Sequence, residues 1–222
     1  LAPEYGIRYR MPAFPIYKSG HYGSFIGRGF DTPDEYRALI AEAKAEGAHF
    51  IKLMISGLMD FDHYGVITGQ PLEESEIRAM IAIAHDAGFS VMAHANGDSA
   101  VRAALLGGVD SIEHGAYLSD ETLAQLAESS AVWVPTLVTI GNLIGCGRFP
   151  DDVLQPLLQY QLAAVRKAAA LGAKIACGSD AGAYRVLHAQ GGLDELALLR
   201  RALGPNADRI LAAGNAAIEA GF

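Results

Sequence analysis

Along the 222 residues one unit recurs: an amphipathic helix, a glycine, then a short strand that is apolar almost throughout. A strand apolar on both faces leaves no side for water, so it belongs in a parallel sheet covered on both sides. Strands alternating with helices imply right-handed βαβ units. The first clear helix, over 34–46, sets Tyr36, Leu39, Ile40 and Ala43 on one face at half-buried helical spacing. Thr32-Pro33-Asp34-Glu35 supplies its cap, a first-turn proline and the glutamate of a capping box, and Gly47 ends it. The strand "HFIKLMI" follows. A helix with Ile77, Met80, Ile81 and Ala84 leads through Gly88 to "FSVMAH", and a shorter one ends at Gly107-Gly108 before "VDSIEH". Helix 120–129 precedes "VWVPTL". A long helix with Leu154, Leu157, Leu158, Leu162 and Val165 stops at Gly172 and feeds "AKIACGSD". "IRYRMPAFPI" reads as one further strand, which makes six βα units, and helices over 192–203 and about 206–219 trail the last.

Two α/β architectures fit this order, an open doubly wound sheet and a (β/α)8 TIM-type barrel. The first usually carries a glycine-rich phosphate turn after its opening strand, and neither G-x-G-x-x-G nor G-x-x-x-x-G-K-[ST] occurs here. Instead a polar residue stands at or near the carboxyl end of strand after strand. In a barrel those ends converge on one face. The barrel is therefore the expected fold, with six of its eight βα units in this chain.

Composition narrows the partners. Hydrophobic residues are 51%, charged residues 19% and net charge −8, with no basic cluster. That predicts a folded domain with a small-molecule substrate, and neither nucleic acid nor an anionic membrane as partner. No apolar run approaches the roughly 18 residues of a membrane span. Two cysteines, Cys146 and Cys177, make no disulfide framework, and the expected compartment is the cytoplasm.

The strands deliver Lys52 in "HFIKLMISG", His94 in "SVMAHANG", His114 in "DSIEHG" and Asp180 in "KIACGSDAG". Charges at the ends of apolar strands are costly unless paired or bound to metal. Imidazole with carboxylate suits zinc, with positions left open for water. Alone, His94 reads as a core histidine and Lys52 as a snorkelling or Schiff-base lysine. Four such residues in strand order favour a divalent metal site.

The order Lys, His, His, Asp within "FIKLM", "AHANG", "IEHG" and "GSDAG" resembles the amidohydrolase superfamily, most of all its imidazolonepropionase-like and Xaa-Pro or Xaa-Arg dipeptidase-like branch. The resemblance runs from about Gly6 to Phe222. It implies that Lys52 is carbamylated by CO2 and bridges two metals, that His94 and His114 hold the second metal, and that Asp180 binds the first and moves the proton of the hydrolytic water. It implies hydrolysis of amide or other C–N bonds, in a dipeptide, N-acyl amino acid or cyclic amide. The family's first-strand His-x-His pair has no match, since the histidines stand at 21, 49, 63, 85, 94, 114 and 188. Its C-terminal β-sandwich has no match either. Residues 1–222 thus read as one hydrolase barrel domain, incomplete at both ends, with homo-oligomerisation or another association covering the open barrel edge. Two alternatives are a non-catalytic fragment with an incomplete metal site and a Schiff-base lyase using Lys52. Tyr117, His188, His21, Tyr22 and Arg148 are the candidate substrate contacts. Asn96 is expected to support the turn after His94, His49 and His85 to lie on the wrong face for the site, and His63 to sit in a loop that borders it.

Overall fold

The computed structural model describes residues 3–6 and 9–222. Its elements run β1 (Pro15–Lys18), β2 (Arg28–Phe30), α1 (Pro33–Ala45), β3 (Ile51–Met54), α2 (Glu74–Asp86), β4 (Val91–Ala95), α3 (Asp98–Leu106), β5 (Ser111–His114), α4 (Asp120–Glu128), β6 (Val132–Val134), α5 (Val138–Gly141), α6 (Asp151–Leu171), β7 (Lys174–Ile175), α7 (Gln190–Leu203) and α8 (Ala207–Gly221). All strand pairs are parallel, in the order β2-β1-β3-β4-β5-β6-β7. The capping box at Thr32 forms as the sequence predicts.

Two expectations need correction. Among the described residues the sheet has seven strands rather than six. It is open, as expected of an incomplete barrel, because β2 and β7 each pair with a single neighbour. The strand expected over 7–16 lies at Pro15–Lys18 instead, and Ile7 and Arg8 of the expected strand fall outside the described residues. Proline accounts for the displacement: Pro15 takes the first strand position, where a missing N–H costs least. The overlooked strand, β2, is only Arg28-Gly29-Phe30 and has no apolar pattern.

Strand register sorts the side chains into two faces. Ile16, Leu53, Ala93, Ile112, Trp133 and Ile175 share one row across the sheet. That row is fully buried and belongs to the main core, with α1 to α4 and α6 behind it. The rows on the opposite face are Lys52–Met92–Ser111–Val132 and Met54–His94–Glu113–Val134. The apolar face thus builds the core and the opposite face carries the polar residues.

Helix α8 lies against that second face. Val132, Val134 and Ala176 form a small apolar cluster on which Ala217 and Ile218 pack. The approach is close enough to require glycine: a Cβ on Gly214 would sit 1.9 Å from the Ile175 carbonyl oxygen. Asn215 Oδ1 accepts from the Cys177 N–H at 3.0 Å, and the Phe222 ring meets Phe50 edge-on at 5.3 Å. Among the described residues no helix is long and apolar enough to cross a membrane.

Candidate active site

His94 follows the regular alternation of β4 and points from the polar face. Its neighbour His114 does not follow that of β5. Register pairs His114 with Ala95, a fully buried residue of the main core, so an unbroken pleat would send its imidazole into the helices. The backbone of His114 is left-handed instead, with φ 72°, and its ring centroid lies 4.6 Å from that of His94. Three further residues near the sheet's carboxyl end share this conformation: Tyr117 (φ 60°), Thr136 (φ 47°) and Asp180 (φ 54°). Such strain costs on the order of 1–3 kcal/mol per residue and gathers where the surroundings enforce a functional geometry. Trp133 does the enforcing at His114, its Nε1 donating to the His114 carbonyl at 3.0 Å.

Both imidazoles are neutral. Burial, then the nearby Lys52 charge, pushes His94 down to about 3. Burial also holds His114 well below the usual histidine range, with His94 and Lys52 acting in the same direction. His94 Nε2 donates to the Gly57 carbonyl at 3.0 Å, so that nitrogen keeps the proton and Nδ1 keeps a free lone pair. His114 Nδ1 is held by Thr136 Oγ1 at 2.7 Å, which leaves Nε2. One fixed nitrogen and one open nitrogen per ring is how metal-binding histidines are oriented.

Lys52 lines a cavity of about 290 Å³ together with Glu113, His114, Thr136 and Asp180. Its accessible surface is intermediate, yet its ammonium is desolvated. Burial lowers its pKa against the opposing pull of Glu113 and Asp180. Burial raises both carboxyls, and the Lys52 charge partly offsets this. Glu113 is a site residue that the strand-end reading missed. It shares the His94 row, and its Oε1 accepts from Ser111 Oγ at 2.7 Å. Strand alternation in "SIEH" holds the clue, since it puts Glu113 on the polar face.

A second cavity, about 410 Å³, opens beside His114 and Asp180 and is lined by Tyr22, Asn96 and Arg148 among others. Tyr22 stacks on His94 at 4.8 Å between centroids. Asn96 ties the site together: its Nδ2 donates to the Gly57 carbonyl and its Oδ1 accepts from the Ala116 N–H, both at 3.1 Å. The other candidate contacts lie apart from both cavities. The Tyr117 hydroxyl accepts from the Gly65 N–H at 2.8 Å, His21 Nδ1 is held at the Gln70 carbonyl at 3.0 Å in a separate depression, and His188 is exposed just before α7. His49, His63 and His85 bond Met11, Asp60 and Asp110.

Among the described residues no three His, Cys, Asp or Glu side chains form a group able to hold a metal ion. The neighbouring pair His94 and His114 has the right donor chemistry, and a third donor is needed. A carbamate on Lys52 would supply one, because it would replace an ammonium with a pair of oxygens sharing a negative charge. With that change the donor set fits a divalent cation.

The pattern that defines the amidohydrolase family matches residues 2–217, and the chain belongs to that family. Uncharacterized protein Rv2915c of Mycobacterium tuberculosis is 32% identical over 183 residues, which are 79% of this chain and 48% of that protein. A putative prolidase from Bifidobacterium longum is 26% identical, with TM-score 0.73 over 92% of this chain and 53% of its own. A prolidase complexed with N-methylphosphonate-L-proline is 25% identical, with TM-score 0.77 over 98% of this chain and 60% of its own. The chain spans about half the length of the curated relatives it matches.

Proposed function

We propose that the protein is a metal-dependent hydrolase of amide or related C–N bonds, and that Lys52, His94, His114 and Asp180 form the part of its centre carried by this chain. The observation that carries this reading is the neutral His94–His114 pair, made by a left-handed residue, beside the desolvated Lys52. The family and the prolidase-like neighbours support it.

Lys52 as a carbamate, His94 Nδ1 and His114 Nε2 would hold the cation, zinc by donor type, with Asp180 at its open side. When bound, the cation supplies Lewis acidity and makes water acidic enough to attack at neutral pH. The chain's own groups do the rest. Asp180 accepts the proton of the attacking water and passes it to the leaving nitrogen, as a carboxyl raised by burial is suited to do. Tyr22 and Asn96 wall the space beside it. The test is release of free amine from a panel of dipeptides and N-acyl amino acids by protein supplied with zinc and bicarbonate. Asp180→Asn is expected to lower kcat by about 10²–10⁴. An unchanged kcat in that variant would remove Asp180 from the chemistry.

The desolvated Lys52 also suits a Schiff-base nucleophile. Trapping by borohydride with a carbonyl substrate, in protein free of zinc, would favour that second reading.

A further inference from the structure

The turn that carries Thr136 is held against its own preference. Thr136 is β-branched and its backbone is left-handed at φ 47°, where a branched residue is a marked outlier. It follows Pro135, directly after β6, and leads into α5, which is four residues long. A helix of one turn does not hold itself together in water. Its first N–H groups have no partner within the helix, and Leu137 and Val138 are fully buried. Something outside the turn has to hold them.

Helix α7 does so. Glu195 Oε2 accepts from the Val138 N–H at 2.7 Å, and the Leu137 N–H donates to the same carboxyl. At the other end of α5, Asn142 Nδ2 donates to Asp194 Oδ2 at 3.1 Å. Between them Leu198 lies on Gly141, where a Cβ would come within 2.8 Å of the leucine Cδ1. The turn then closes on Thr136, whose carbonyl accepts from the Thr139 N–H at 3.0 Å and from Thr139 Oγ1 at 2.8 Å. Thr136 Oγ1 in turn lies 2.7 Å from His114 Nδ1. Glu195 is fully buried, and among the described residues no lysine or arginine pairs with it and its Oε1 has no hydrogen-bond partner. A carboxyl in such surroundings costs stability. The groups it serves are those of the turn that holds the histidine.

We propose that Glu195 is a positioning residue: it fixes the first turn of α5, which keeps Thr136 Oγ1 on His114 Nδ1 and so aims the open nitrogen of His114 at the metal position. The inference rests on the hydrolase reading for the role of His114, whereas the chain of contacts from Glu195 through Val138 and Thr136 to His114 stands without it. The influence of Glu195 on a metal runs through Thr136 alone.

Zinc affinity, read by competition with a chromogenic chelator on the bicarbonate-supplied chain, tests this in Glu195→Met, Glu195→Gln and Ile40→Ala. Methionine keeps the volume and removes the acceptor, whereas glutamine keeps both. Ile40 lies on α1, which packs on α2 and β2, so its variant shows what lost stability alone does to zinc binding. Glu195→Met is expected to weaken zinc binding about tenfold, and Glu195→Gln and Ile40→Ala by less than about twofold. In a Thr136→Val background Glu195→Met is expected to add less than about twofold, because the path is already cut. Unchanged affinity in Glu195→Met, an equal loss in Glu195→Gln or Ile40→Ala, or full additivity with Thr136→Val overturns the proposal. Should Glu195→Met not fold, Glu195→Asp, whose carboxyl is drawn back by one carbon, carries the same expectations. Nitrogen NMR of the zinc-free chain supplies a readout that needs no metal. The neutral His114 ring is expected to carry its proton on Nδ1 in the unsubstituted chain and in Glu195→Gln, and to divide it between both nitrogens in Glu195→Met. A single tautomer in Glu195→Met overturns the proposal. Should the tautomers divide in that variant while the unsubstituted chain binds no zinc, the hydrolase reading falls and the positioning role stands.

Discussion

His114 shows how one backbone angle makes a site. Its imidazole reaches His94 only because residue 114 leaves the pleat, and Gly115 behind it, also left-handed at φ 62°, has no room for a side chain. A Cβ on Gly115 would lie 2.6 Å from Trp133 Nε1, the donor that holds the His114 carbonyl. Gly115→Ala is therefore expected to lower unfolding free energy by about 1–3 kcal/mol in urea titrations, from strain and the displaced tryptophan. Thr136 acts more gently, by fixing His114 Nδ1. Thr136→Val is expected to leave the fold intact and weaken zinc binding about 10–100-fold by competition with a chromogenic chelator. Unchanged zinc affinity would make the Thr136 contact purely structural. Lys52, His94, His114 and Asp180 could be picked out from sequence because each is a polar interruption at the end of an apolar run. Thr136 could not. Its role comes from a left-handed turn, which leaves no local pattern.

Helices α1, α2, α3, α4 and α6 were legible for an ordinary reason: each has a run of apolar positions at helical spacing, and a glycine follows α1, α2, α3 and α6. The short edge strand β2 lacked that agreement, and β1 was misplaced by its prolines. Helix α7 hides a feature that no periodicity displays. Glu195 is fully buried on it, and its Oε2 accepts from the Val138 N–H at 2.7 Å at the start of α5. Its Oε1 has no hydrogen-bond partner among the described residues. Burial, partly opposed by the Val138 and Leu137 N–H groups, pushes its carboxyl from 4.5 up to about 7. The folded state therefore holds a proton that the unfolded state has released between those two values. The stability this gives is fully present below about pH 4.5 and is lost as pH rises through 7. The loss is expected to total about 3 kcal/mol. Glu195→Gln is expected to flatten the profile between pH 5 and 8 in denaturant titrations. A slope that persists in Glu195→Gln would assign the pH dependence to other groups.

The seven strands make an open wall whose apolar face is buried under helices and whose other face gathers a lysine, two neutral histidines and two raised carboxyls. The parallel sheet and its open edge are readable from the repeating unit and the missing strands, whereas the division of faces and the seating of α8 on the polar one are not, since both depend on which strands and helices meet in space. Under the proposed function Lys52 is the donor without which the histidine pair would hold no metal, so metal content is the measurement to make. Zinc per chain would be determined by elemental analysis on protein supplied with zinc, with and without bicarbonate, beside Lys52→Ala. The expected result is about one or more tightly bound zinc ions per chain, rising with bicarbonate and lost in Lys52→Ala. No bound zinc in the unsubstituted chain, or binding indifferent to both bicarbonate and Lys52→Ala, would contradict it.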